Sequence, residues 1–118
     1  MIGETKLAEL RTALEEQREN LRKEIAEQGG DPDSDDAEID VARNFADSAQ
    51  STAERARLLA VMKALRANLR WVNRALTKID LGTYGVCERC GRPIGLERLE
   101  ALPWAILCID CKQRGEGR

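Results

Sequence analysis

The stretch SAQSTAERARLLAVMKALRANLRWVNRALTKIDL, from Ser48 to Leu81, decides the fold. Within it Leu58, Met62, Leu65, Leu69, Val72, Leu76 and Ile79 recur at alternating steps of four and three. Two apolar positions in seven make a heptad seam, and a helix with so narrow a stripe needs a partner helix along its length. Gly and Pro are absent until Gly82. A glycine just past a helix C-terminus takes the left-handed conformation freely, so the helix is predicted to stop there. At 1.5 Å per residue it is about 50 Å long.

The partner lies upstream. From Glu4 to Gln28 the apolar residues Leu7, Leu10, Leu14, Leu21 and Ile25 form a second seam, interrupted by Gln17 and ended by Gly29-Gly30. Its outer face mixes Glu15, Glu16, Arg18, Glu19, Arg22 and Lys23, which reads as a solvated surface with weak ion pairs.

Between the helices, Gly29 to Asp40 carries Asp31, Asp33, Asp35, Asp36, Glu38 and Asp40 and no basic residue. Gly-Gly, Asp-Pro and clustered Asp are loop signals, and Pro32 forbids a continuous helix. The stretch reads as a solvated linker at a hairpin tip, or as an acidic prow that meets a basic or metal-bearing surface. Asp36 and Asp47 both fit as the start of the second helix, and Ser51-x-x-Glu54 has the capping-box pattern. Phe45 is expected to pack as a staple under the cap. Trp71 is expected to pack against the cysteine module or the N-terminal end of the first helix.

The chain has 118 residues, of which 34% are charged and 3% aromatic. That balance suits a hairpin with a thin apolar seam and one small appended module. The formal net charge is -2, without the basic stripe of a general nucleic-acid binder. No run of 18 apolar residues occurs and the N-terminus is charged, which argues against membrane and secretory readings. A cytoplasmic protein is expected, where cysteines more often bind metal than form disulfides.

Cys87-Glu-Arg-Cys90 and Cys108-Ile-Asp-Cys111 are two C-x-x-C knuckles separated by the 17 residues from Gly91 to Leu107. This spacing predicts one tetrahedral zinc held by Cys87, Cys90, Cys108 and Cys111. Four thiolates fill the coordination shell, so the zinc is expected to be structural. Arg89, Arg92 and Lys112 are close enough in sequence to soften its charge. Between the knuckles, Leu96 to Leu102 has the length of a short helix ended by Pro103. The expected fold is therefore mostly α: a long antiparallel two-helix coiled-coil hairpin over residues 1–81, with an acidic tip around 29–49, then a small C4 zinc finger over 82–118. There is no His, no phosphate-binding loop and no dinucleotide fingerprint, so an enzyme is not expected.

The finger resembles the DksA/TraR family of bacterial transcription regulators. The resemblance is carried by Gly82-Thr-Tyr-Gly-Val-Cys-Glu-Arg-Cys-Gly91, Pro93-Ile-Gly95, Arg98-Leu-Glu-Ala-Leu-Pro103 and Leu107-Cys-Ile-Asp-Cys-Lys112, and the hairpin-then-finger order agrees with it. It implies binding to RNA polymerase beside its secondary channel. There the hairpin tip approaches the active site and changes open-complex stability without contacting DNA. The family's tip motif, Asp-x-x-Asp-x-Ala, falls on Asn44 to Ala49. Asp47 and Ala49 match, while Asn44 puts a neutral amide where the motif has an acid. The family's shared site for guanosine tetraphosphate, a Leu, Lys, Arg and Lys, falls on Asn68, Trp71, Leu102 and Lys112. Only Lys112 agrees, so weak or absent nucleotide binding is expected. A monomer is expected.

Two readings from other classes compete with a polymerase regulator: a zinc-dependent nucleic-acid-binding module and a scaffold or chaperone adaptor. Residues 82–118 hold six Lys or Arg against five Asp or Glu, a poor footprint for the first of these.

Overall fold

The computed structural model describes residues 2–45 and 52–115. Its helices are α1 (Glu4–Glu27), α2 (Ala37–Asn44), α3 (Thr52–Leu81), α4 (Leu96–Ala101) and α5 (Ile109–Gly115). Among the described residues the β structure is one isolated antiparallel bridge between Val86 and Pro93. By contact the chain forms two units, Arg18–Arg70 in one and Met1–Gln17 with Trp71–Arg118 in the other.

In the unit Arg18–Arg70, the end of α1 buries Leu21 and Ile25, and α3 buries Met62, Arg66 and Leu69. Leu58 and Leu65 are half-buried. The helix α1 stops in a Schellman arrangement: the Gly29 amide donates to the Ala26 carbonyl and the Gly30 amide to the Ile25 carbonyl. Gly29 takes φ +93, which a Cβ would strain. Gly30 is needed for space. A Cβ there would lie 2.7 Å from the Met62 methyl and 2.8 Å from Ile25 Cγ2.

The acidic connection is not simply solvated. Asp36 caps α2, its carboxylate accepting from the Glu38 and Ile39 amides. One turn further along that helix, Asp40 is 0% exposed, and Arg66 opposite it is 2% exposed. Arg66 Nε and Nη2 donate to the two Asp40 oxygens at 2.7 and 2.8 Å. The same guanidinium donates to the Asp31 and Ser34 carbonyls. Exposed pairs join Arg22 to Asp33 and Arg70 to Asp35, each at 2.8 Å. Asp36 thus starts a separate eight-residue helix, and α3 begins at Thr52 among the described residues. Asp47, Ser48 and the Ser51 of the capping-box pattern lie outside the described residues. Phe45 is the C-cap of α2, and the Arg55 guanidinium sits over its ring at 5.7 Å. The cap under which Phe45 was expected to pack as a staple lies outside the described residues.

In the other unit, Leu10 and Leu14 of α1 are buried, as are Val72, Ala75 and Leu76 of α3. Arg11 meets Asp80 at 2.6 Å, the pairing of antiparallel helices. The helix α3 ends at Gly82, φ +77, where Gly82 and Thr83 amides donate to the Ile79 and Lys78 carbonyls, a second Schellman motif. The finger core is Cys87, Ile94, Leu99, Ala105 and Cys111, with Ile2, Tyr84, Leu102 and Leu107 packed against it. Ile2 just ahead of α1 thus completes that core, and Lys6 meets Glu100 at 2.8 Å. Trp71 is 43% exposed. More than half of its surface is covered, so the expected packing is partial.

The buried and exposed ion pairs should behave differently. Asp40→Ala leaves the Arg66 charge buried without its carboxylate, a loss of about 3–5 kcal/mol. Asp35→Ala opens an exposed pair and costs less than about 1 kcal/mol. Denaturant unfolding followed by helical circular dichroism measures both. Equal, small effects would contradict a buried Arg66–Asp40 pair.

Candidate metal centre and hairpin tip

The first knuckle is built on a tight backbone turn. The Cys87 amide donates to the Arg92 carbonyl at 2.9 Å and the Gly91 amide to the Cys87 carbonyl at 3.0 Å. Gly91 takes φ +76, the conformation that lets the chain reverse directly after Cys90. The Ile94 amide donates to the Gly85 carbonyl at 2.7 Å, beside the Val86–Pro93 bridge. The second knuckle opens α5, with the Lys112 amide donating to the Cys108 carbonyl. A bond from the Glu88 amide to the Ile106 carbonyl joins the two halves.

The Sγ atoms of Cys87, Cys90, Cys108 and Cys111 all lie within 4.8 Å of one another, and those of Cys90 and Cys108 are 3.8 Å apart. Thiolates about 2.3 Å from a tetrahedral zinc are separated by roughly 3.8 Å, so the donors fit that ion. Four soft sulfurs close the shell and leave no position for substrate, which makes the zinc structural. Burial works against the Cys87 thiolate, but amides of Cys108, Cys90 and Arg89 outweigh it and bring its pKa to about 6. Burial and the neighbouring thiols push Cys111 up to about 12. Loading the metal therefore displaces protons.

Cations gather around this centre from a source the sequence pattern did not mark. Lys78 of α3 is 5% exposed and its ammonium donates to the Val86 carbonyl at 2.6 Å. Burial lowers the Lys78 pKa, and the Glu88 carboxylate partly offsets this. Arg74 meets Glu88, inside the first knuckle, at 2.7 Å. Of the three expected cations, Arg89 donates to the Cys111 carbonyl. Arg92 and Lys112 are exposed. Tyr84 donates its hydroxyl to the Pro103 carbonyl at 2.8 Å, and burial raises its pKa to about 12.

Residues 82–117 match the model of the prokaryotic dksA/traR C4-type zinc finger. The RNA polymerase-binding transcription factor DksA of Escherichia coli is 34% identical over 124 aligned positions, which cover 99% of this chain and 76% of that protein. The chain belongs to the DksA family. The DksA of Caulobacter vibrioides is 39% identical over 75 residues, 64% of this chain. The matched part is about half, 53%, of that relative's length. Among solved structures, transcription factor DksA2 from Pseudomonas aeruginosa is similar with a TM-score of 0.71 and 27% identity, over 96% of this chain and 84% of that one. The DksA fold, a helical hairpin leading into a C4 finger, is the architecture expected above.

Of the three tip residues, Asp47 and Ala49 lie outside the described residues. Asn44 closes α2, and its amide donates to the Gly29 carbonyl at 3.0 Å and the Asp40 carbonyl at 2.8 Å. Of the nucleotide positions, Asn68 and Lys112 are exposed and Leu102 is half-buried. Leu102 lines a cleft of about 600 Å³ with Arg92, Arg98 and Ile109. Arg98 donates to the Leu107 carbonyl.

Cys90→Ser should lose the zinc and unfold the finger while the helices of the unit Arg18–Arg70 persist. Zinc affinity, read by chelator competition, should weaken as pH falls because the thiols must give up protons. A finger that stays folded after chelation would contradict a metal-dependent core.

Proposed function

We propose that the protein is a non-catalytic transcription regulator that binds RNA polymerase at its secondary channel. The hairpin tip would approach the active site and alter open-complex stability. The observation that carries this reading is the match along 99% of the chain to the Escherichia coli protein whose name states polymerase binding. Helices of 24 and 30 residues supply the reach, and the zinc-bound finger supplies a firm base for docking. We take residues 1–81 as the inserted hairpin and 82–118 as the docking foot, acting as a cytoplasmic monomer without sequence-specific DNA contacts.

Asp47 is the proposed active acid of the tip. A carboxylate there makes charge-assisted hydrogen bonds with basic or metal-bearing surroundings that a neutral side chain does not reproduce. The alternative role of Asp47 is a helix cap, worth about 1 kcal/mol. Asn caps about as well as Asp, so Asp47→Asn separates the roles. It should bind cognate polymerase nearly normally, keep its helicity and lose its effect on transcription in vitro. If it regulates like wild type while Asp47→Ala fails and melts earlier, Asp47 is a cap. Failure of the wild type to co-purify with polymerase would overturn the reading as a whole.

Guanosine tetraphosphate has little to hold it at the family's site. Trp71 and Leu102 stand where two cations would meet phosphate, and Lys112 alone is retained. Calorimetry on the polymerase complex should show weak or absent binding. Binding that disappears in Lys112→Ala would contradict this.

A further inference from the structure

Position 44 is where the resemblance puts the first acid of the tip, and the structure gives its side chain another task. The Asn44 amide has two partners, the Gly29 carbonyl at 3.0 Å and the Asp40 carbonyl at 2.8 Å. Both are acceptors, so only the NH2 end of the amide can face them. A carboxylate at this position would have no proton to donate and would set its charge against two carbonyl oxygens. The fit is close on the other side as well. A Cβ on Gly29 would lie 2.7 Å from Asn44 Nδ2, so Gly29 makes room for the amide. On the same short helix, one turn earlier, Asp40 is held by the buried Arg66. The helix α2 is thereby tied to α3 through Asp40 and to the turn after α1 through Asn44.

We infer that Asn44 is a positioning residue that clasps α2 to the Gly29 turn. Position 44 contributes hydrogen-bond donors to the shape of the tip, not a charge to the polymerase. This rests on the proposed polymerase-binding tip, because α2 leads directly into the segment that carries Asp47. A loosened α2 would deliver Asp47 to varied positions while leaving the docking surfaces intact.

The test compares wild type, Asn44→Asp and Asn44→Ala by backbone NMR and by transcription with cognate polymerase. Circular dichroism and zinc content serve to show that α1, α3 and the finger persist. At neutral pH both variants should move the resonances of residues 29–30 and 40–45 toward unstructured values. Both should lose most of the transcriptional effect at saturating protein, while polymerase affinity changes by less than about fivefold, the worth of a surface contact. In Asn44→Asp the resonances should return toward wild type as pH falls through the carboxyl's titration, which the two facing carbonyls place above the free value of about 4. The protonated acid again donates one bond, whereas Asn44→Ala should show no such recovery. Native resonances in both variants would overturn the clasp. Regulation by Asn44→Asp equal to or stronger than wild type would overturn the assignment of position 44 to positioning. If wild type neither binds nor affects polymerase, the proposed function fails, and the clasp stands or falls on the resonances and their pH dependence alone.

Discussion

A guanidinium taken out of water has to find its hydrogen bonds inside the protein, and Arg66 finds them on one short stretch of chain. Asp40 meets it with both carboxylate oxygens, and Asp31 and Ser34 offer carbonyls. Removing two charges from water costs several kcal/mol per ion, and their attraction returns this only when geometry and hydrogen bonding are good. Such a pair adds little net stability. What it supplies is definition, because one planar donor fork fixes three separated acceptor residues at once. A segment with six acids and no basic residue of its own becomes an ordered connection by borrowing a cation from α3.

The finger depends on a different constraint. Its buried cluster of Cys87, Ile94, Leu99, Ala105 and Cys111 is small, and a core of that size does not hold a fold without a metal or a disulfide. The zinc ties the two knuckles together. Lys78, Arg74 and Ile2 attach that metal-bound module to the helices of its own unit. Lys78 gives up hydration to reach the Val86 carbonyl, next to a zinc ligand, where the anionic centre repays a nearby cation.

Local signals carried most of the fold. The heptad steps placed Met62, Leu69, Val72 and Leu76 in the seam, and the glycines at 29 and 82 marked both helix ends because each ends in a motif that needs a positive φ. The cysteine spacing located the metal centre, since the chemistry of the knuckle fixes that spacing. What stayed hidden was made by contacts between distant residues. Arg66 looks like one more surface charge on a long helix, and nothing local ties it to Asp40, 26 residues away. Asn44 reads as a lost acid until its two carbonyl partners are seen. Trp71, a residue type that usually packs, keeps 43% of its surface exposed.

For the proposed polymerase regulator the consequence is a connection ordered over residues 30–45 before it meets its partner. Ordering a flexible loop at binding would cost conformational entropy that a clamped connection has already given up. Amide hydrogen exchange of the protein, free and bound to cognate RNA polymerase, tests this directly. The account predicts that the Gly30, Asp40 and Phe45 amides are protected in the free protein and change little on binding. Free-state exchange at the rate of open chain across residues 30–45, with protection appearing only in the complex, would contradict it.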